Sequence, residues 1–322
     1  MNAVSSKFAE QLSAVIDQEL QTPVSRASMA MTDALKARYG DAVLAVVYYG
    51  SCFRTGTEKD GILDIFIIVD DYRNIYVKNS LVVANTLLPP NVFYYEMEFE
   101  GTTLRTKYAV ITLEQFIQRN SVKCFHTFFW ARFAQPCTLT FVRDKTVRTT
   151  IVTAINQAIE TFITRVLPIL PRRFDAEMLW SSGLAASYRT ELRPESTSAA
   201  ARLVAQNLDR YRAVTALTLE LRSDIYNCSE GSDQHDFVAT ISKRERWIAR
   251  QAWRIRRPQG KIINLLRILK AAFTFDGGVD YVLWKIERHS GIKVEATPML
   301  RRHPLLTCWP TVWRLYRAGA FR

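Results

Sequence analysis

The sequence predicts an α+β protein: a mixed sheet with flanking helices, then a mainly helical second part, then a basic amphipathic tail. Three observations predict it. Short apolar or alternating runs bounded by Gly and Pro fill residues 42–111. Helical periodicity dominates after Pro168. Lys, Arg and Trp gather in the last quarter of the chain.

Taken in order, residues 5–39 read as helical, with Phe8, Leu12, Val15, Ile16 and Leu20 at helical spacing. AVLAVVYYG (42–50) is a buried strand ending in glycine. The polar stretch SCFRTGTEKDG is a loop leading to a second buried strand, ILDIFIIV (62–69). Residues 74–88 read as a helix stopped by Pro89 and Pro90. VFYYEMEFE and TLRTKYAVI are two strands joined at a Gly101 turn. Residues 113–135 read as helix, 138–142 as a short strand and 146–167 as a helix closed by Pro168 and Pro171. That proline pair is the expected domain boundary, giving segments 1–167, 168–290 and 291–322. Beyond it the pattern is helical almost throughout, with NCSEGSDQHD (227–236) as a loop.

The chain has 322 residues and a net charge of +12, with 48% hydrophobic and 23% charged residues, the balance of a globular protein. The charge is unevenly placed. Residues 242–322 hold 18 basic and 5 acidic residues, a net of +13, while the remainder is at −1. The same quarter holds five of the seven tryptophans: Trp247, Trp253, Trp284, Trp309 and Trp313. Cations with interfacial aromatics point to a polyanion or an anionic membrane surface. No apolar run reaches the ~18 residues that a membrane span needs. The first twenty residues lack a signal pattern, and Glu10 and Asp17 argue against a transit peptide. Five scattered cysteines without a C-x-x-C pair, and four dispersed histidines, make a disulfide scaffold or a zinc site an unexpected reading. The expected compartment is reducing and cytoplasmic, with the protein on the inner face of a bacterial cell membrane.

The most informative stretch is VVYYGSCFRTGTEKDGILDIFIIVDD. One buried strand delivers Gly50 and Ser51, and a second carries Asp64 thirteen residues later. This arrangement suits metal-assisted nucleotidyl transfer. Glycine lets the backbone approach nucleotide phosphates, and the Ser51 hydroxyl and nearby N–H groups bind phosphate oxygens. An Asp at the mouth of an apolar strand holds Mg²⁺, which neutralises charge on the attacked phosphorus. A second carboxylate one turn of the pleat from Asp64 is missing, since Ile62 and Phe66 stand there. Glu96 and Glu98, alternating onto one strand face, are the candidates for that ligand. Asp70 and Asp71 read as strand terminators. Lys107, in the fourth strand, reads as a charge on the triphosphate or as a solvated face residue.

Several motifs then resemble the mitochondrial-type phosphatidate cytidylyltransferases, the translocator assembly and maintenance family of CDP-diacylglycerol synthases. Tyr49-Gly50-Ser51 with Ile62, Asp64, Phe66, Asp70 and Asp71 is similar to that family's first block, and Lys107-Tyr108-Ala109-Val110-Ile111 to its K-Y-G-V-I strand. Ala131-Arg132 with Pro136, Leu170-Pro171, Gly183-Leu184, Ser187-Tyr188 and Glu191-Leu192-Arg193 follow in the family's order, with Glu195 and then Lys270-Ala271-Ala272-Phe273-Thr274. Ala109, Gln135 and Ala199 depart from the family's Gly, Lys and basic residue. The resemblance spans most of residues 40–290. It implies CTP and phosphatidate as substrates and CDP-diacylglycerol and pyrophosphate as products, with Mg²⁺. It also implies a nucleotidyltransferase-fold domain, a winged-helix-like helical domain and peripheral membrane attachment through the C-terminus. In this reading Asp64 and Lys107 are catalytic, and Gly50, Ser51, Arg132, Ser187, Tyr188, Glu191 and Arg193 bind the nucleotide.

The end of the chain fits an interfacial anchor. Trp309, Val312, Trp313 and Tyr316 form a stripe after Pro310, with Arg314, Arg317 and Arg322 nearby. In 261–273, Ile262, Leu265, Leu266, Leu269 and Phe273 form an apolar face opposite Lys261, Arg267 and Lys270. A membrane surface is thus the expected partner, and nucleic acid is not. Two other readings compete: a nucleotidyltransferase acting on a tRNA-type acceptor, and a membrane-associated relative without the chemistry.

Overall fold

Helices and strands alternate through the first half of the chain, as the change of apolar period demands. The computed structural model describes residues 3–57, 61–191, 197–220, 225–227, 236–274, 297–299, 310 and 313. Helices α1 (Ala3–Glu19) and α2 (Arg26–Tyr39) precede strand β1 (Val43–Tyr49). Then come α3 (Gly50–Thr55), β2 (Leu63–Val69), α4 (Asn79–Leu87), β3 (Asn91–Phe99) and β4 (Thr102–Thr112). Helices α5 (Leu113–Asn120) and α6 (Trp130–Phe133), strand β5 (Cys137–Val142) and helix α7 (Lys145–Val166) follow. The chain continues through β6 (Arg173–Asp175), α8 (Ala176–Tyr188), α9 (Thr197–Ala205), α10 (Leu208–Leu219), β7 (Ile225–Asn227), β8 (Asp236–Ala239) and α11 (Lys243–Thr274).

The fold is α+β, with a mixed five-stranded sheet, flanking helices and a helical C-terminal part. Among the described residues no helix is long and apolar enough to cross a membrane. Four local expectations are corrected. The 5–39 helix is two helices, because Pro23 pushes its predecessor out of helical geometry and Ser25 caps a new start, its Oγ accepting from the Ser28 N–H. The loop after β1 is helical over Gly50–Thr55. The 113–135 helix ends at Asn120, where Ser121 turns to extended backbone, and helix resumes only at Trp130. The second half is not helical almost throughout: β6, β8 and β7 form a small three-stranded sheet. The loop expected at 227–236 lies mostly outside the described residues.

Contacts divide the chain into two compact units that interleave in sequence, a different partition from the sequential one expected. The sheet unit comprises Val24–Ile111 with Leu266–Arg322, and the helical unit Met1–Pro23 with Thr112–Leu265. In the sheet unit the strand order is β3-β4-β2-β1. Strands β1 and β2 are antiparallel and buried on both faces, which explains their unbroken apolar runs. The β3–β4 hairpin turns at Glu100 and Gly101, both at positive φ (50° and 73°), the backbone that matches strand twist. The C-terminal turns of α11 are tied to the segment before β3. Arg267 donates to the Pro89 carbonyl, and Lys270 Nζ to those of Leu88 and Pro90 (2.5 and 2.8 Å).

In the helical unit, α7 buries one face along its whole length. An aromatic column crosses it, with Phe162 and Trp180 stacked at 4.5 Å and Tyr211 at 4.5 Å beyond. The indole of Trp180 donates to Thr215 Oγ1. Gly183 allows α8 to approach α7, since a methyl there would stand 2.4 Å from Phe162 Cζ. Trp253 belongs to this core, at 4% exposure, and its indole N–H donates to the Arg165 carbonyl. It is therefore removed from the interfacial aromatics. Part-buried Arg210 bridges Glu19 (2.7 Å) and the Ala134 carbonyl.

Candidate functional site

The sheet unit brings together the two ends of the Gly-Ser–Asp motif. Register places Tyr49 opposite Asp64, so the strand that ends at Gly50 lies beside the one that begins at the aspartate. Gly50 adopts φ +90° and opens α3, so the chain reverses from strand to helix in one residue. A methyl group at Gly50 would sit 2.5 Å from Asp64 Oδ2 and 3.0 Å from its Cβ. Only a residue without a side chain fits there. The half-buried Asp64 carboxylate thus lies against the first turn of α3, and Ser51 is exposed on that turn.

The described ends of the connecting segment are tied to one another and to β4. Cys52 Sγ donates to the Ile62 carbonyl, and Gly61 leaves room for that thiol, which a methyl would meet at 2.3 Å. Thr106 of β4 donates to the Leu63 carbonyl at 2.9 Å, fixing the residue before Asp64. The far end of β2 is closed by Asp70 and Asp71, which accept from the Asp71 and Arg73 N–H groups and from Asn74. They act as turn formers, as expected.

The other carboxylates expected at a metal have local partners. Glu96 accepts from Tyr94 (2.9 Å) and pairs with Arg105 at 3.7 Å, and Glu98 accepts from Thr103. Burial, and then the Glu96 hydrogen bond, push the Tyr94 phenol well above its ordinary range, so it stays a donor. Among the described residues no group of three or more His, Cys, Asp or Glu side chains is placed to hold a metal ion. A Mg²⁺ that takes one or two protein carboxylates and fills its remaining positions with phosphate and water is compatible with Asp64 as the protein ligand. Lys107 is exposed on β4 directly opposite Tyr94.

The helical unit joins two motif blocks that lie 55 or more residues apart. Arg132 of α6 stacks on the Phe128 ring at 4.1 Å, donates to the Phe128 carbonyl and faces Glu191 at 3.9 Å. Thr127 and Thr190 share a buried hydroxyl–hydroxyl bond of 2.8 Å. Ser187 is buried, donates to Leu184 and accepts from Thr190 Oγ1 through its carbonyl. Its hydroxyl is thus engaged within its own helix. Tyr188 is partly exposed at the end of α8, and Arg193 lies outside the described residues. Gly260 of α11 seats on Thr190, where a methyl would meet the carbonyl oxygen at 2.5 Å.

Phe128, Thr127 and Thr190, which the sequence did not single out, stand with Arg132 and Glu191 in this cluster. The signal for Phe128 was an aromatic four residues before Arg132, one helical turn away. Of the tail residues, Trp313 is 63% exposed, while Trp309, Arg314 and Arg317 lie outside the described residues. Searches of protein-family models and of curated proteins find no match to this chain.

Proposed function

We propose that this chain transfers a cytidylyl group from CTP to phosphatidate, giving CDP-diacylglycerol and pyrophosphate in phospholipid synthesis. The observation that carries the reading is the close approach of Gly50 to Asp64. There a backbone at φ +90° without a side chain stands against a carboxylate at one strand mouth, which supports the reading of a polyphosphate held there with a divalent cation. The ordered motifs that resemble those of the phosphatidate cytidylyltransferases support the choice of CTP and of a lipid acceptor.

In this reading a phosphate oxygen of phosphatidate attacks the α-phosphorus of CTP, the new P–O bond forms, and the bond to the β-phosphate oxygen breaks. The nucleophile is already ionised at neutral pH, so positioning and electrostatics supply most of the rate. Asp64 would be the carboxylate that holds the metal. Bound Mg²⁺ would supply charge neutralisation at the phosphates. The backbone at Gly50 and Ser51 lines the polyphosphate, and Lys107 adds a positive charge from β4.

The test is a screen of four α-labelled nucleoside triphosphates with phosphatidate, phosphatidylglycerol or tRNA as acceptor. Label from CTP should enter the lipid phase with phosphatidate and Mg²⁺ alone. Label in tRNA would favour the nucleic-acid reading, and no transfer to any acceptor would favour a relative without the chemistry.

A further inference from the structure

Helix α11 between Lys243 and Leu265 has two opposed characters. One side belongs to the core of the helical unit: Trp253, Arg256 and Gly260 are buried, and Arg256 donates to the Phe125 carbonyl. On the opposite side Ile248, Ile255 and Ile262 recur every seven residues, or about two turns, and so form one row. They are 49%, 59% and 58% exposed, with Trp247 and Leu265 bordering the row at 63% and 50%. A single exposed isoleucine is ordinary, but a row of them with a tryptophan marks an interaction surface.

Charge identifies the occupant. Arg250, Arg254, Arg257 and Lys261 are exposed alongside the row, and residues 243–265 hold eight basic residues against one acidic residue, Glu245. A second copy of the chain would bring an identical cationic face, and like charges oppose that pairing. A nucleic acid would satisfy the cations but leave the isoleucines and Trp247 in water. An anionic lipid surface satisfies both, with apolar side chains at the acyl boundary and guanidinium groups among the headgroup phosphates.

We propose that this face of α11 docks the protein on an anionic bilayer. The inference rests on the lipid-acceptor reading above and adds to the C-terminal Trp/Arg stripe a second contact surface, on an ordered helix. Docking is a property of Ile248, Ile255 and Ile262 with their arginine border, and is separable from catalysis at Asp64.

The experiment uses the full chain and co-sedimentation with vesicles of phosphatidylcholine, with and without 30% phosphatidylglycerol. The wild type should bind the anionic vesicles and dissociate as salt is raised. Ile255→Glu/Ile262→Glu should lower vesicle partitioning at least tenfold with an unchanged thermal melt, while Val83→Glu, at an exposed apolar position of the sheet unit, should not. Brominated lipid should quench tryptophan fluorescence more in the wild type than in Trp247→Phe. Unchanged vesicle binding by the double variant would overturn the proposal. So would a wild-type dimer that the double variant dissociates, or RNA binding in preference to vesicles. Transfer from CTP to detergent-dispersed phosphatidate is measured in parallel. Activity retained by the double variant supports docking as its role. Vesicle binding that depends on Ile255 and Ile262 still sustains the proposal if the wild type shows no transfer, a result that counts against the lipid-acceptor reading alone.

Discussion

Gly50 and Asp64 constrain each other. With φ at +90° and 2.5 Å between a notional methyl and Asp64 Oδ2, Gly50→Ala must shift either the turn or the carboxylate. We expect about 1–2 kcal/mol of destabilisation from the backbone alone, and at least a hundredfold loss of cytidylyl transfer because the carboxylate moves. Chemical denaturation and steady-state kinetics measure the two separately. A second residue-scale prediction concerns the part-buried pair of Glu19 and Arg210, whose side chains are 12% and 13% exposed. Glu19→Gln removes the charge opposite a largely enclosed guanidinium and should destabilise by about 1–3 kcal/mol in urea unfolding. The Gly-Ser–Asp motif was legible because strand ends are punctuated by glycine and by a charge inside an apolar run. The partners of Glu96 and Glu98 were not. They depend on the β3–β4 register, which sets Glu96 opposite Arg105 and Glu98 opposite Thr103.

At the scale of elements, α8 approaches α7 through Gly183, and α11 is tied to the chain before β3 through Arg267 and Lys270. Gly183→Ala should overpack against Phe162 and Val166 and cost about 1–3 kcal/mol in thermal or chemical unfolding. Burial, and then the nearby Arg267 charge, lower the Lys270 pKa from 10.5 to about 7. Between those values the unfolded chain carries a proton that the fold does not, so stability should rise with pH across that window and be flat below it. Unfolding midpoints from pH 7 to 10 should show this slope in the wild type and a weaker one in Lys270→Met. The strands, α7 and the Gly101 hairpin were legible because alternation, unbroken apolar runs and turn residues are local signals. The small β6-β8-β7 sheet was not, since its strands are three or four residues long, too short to show a period. Helix α3 was hidden in a polar stretch with no apolar face.

At the scale of the whole molecule, the charge asymmetry seen in the sequence gains a partial address. Arg250, Arg254, Arg257 and Lys261 border an exposed isoleucine row on α11, Arg256 is buried in the helical unit, and Arg267 and Lys270 hold carbonyls in the sheet unit. Burial, and then the proximity of Arg165, lower the Arg256 pKa to about 10. One compositional feature therefore divides into surface and structural parts, which no count of charges could separate. The interleaving of the two units was likewise hidden, because it depends on long-range contacts of α1 and of the end of α11.

The central claim is that Asp64, at the strand mouth closed by Gly50, holds the chemistry of cytidylyl transfer. Incorporation of [α-³²P]CTP into phosphatidate vesicles with Mg²⁺ should occur with the wild type and fall at least a thousandfold in Asp64→Asn, with an unchanged circular dichroism melt. Appreciable transfer by a folded Asp64→Asn variant, or none by the wild type, would contradict the account.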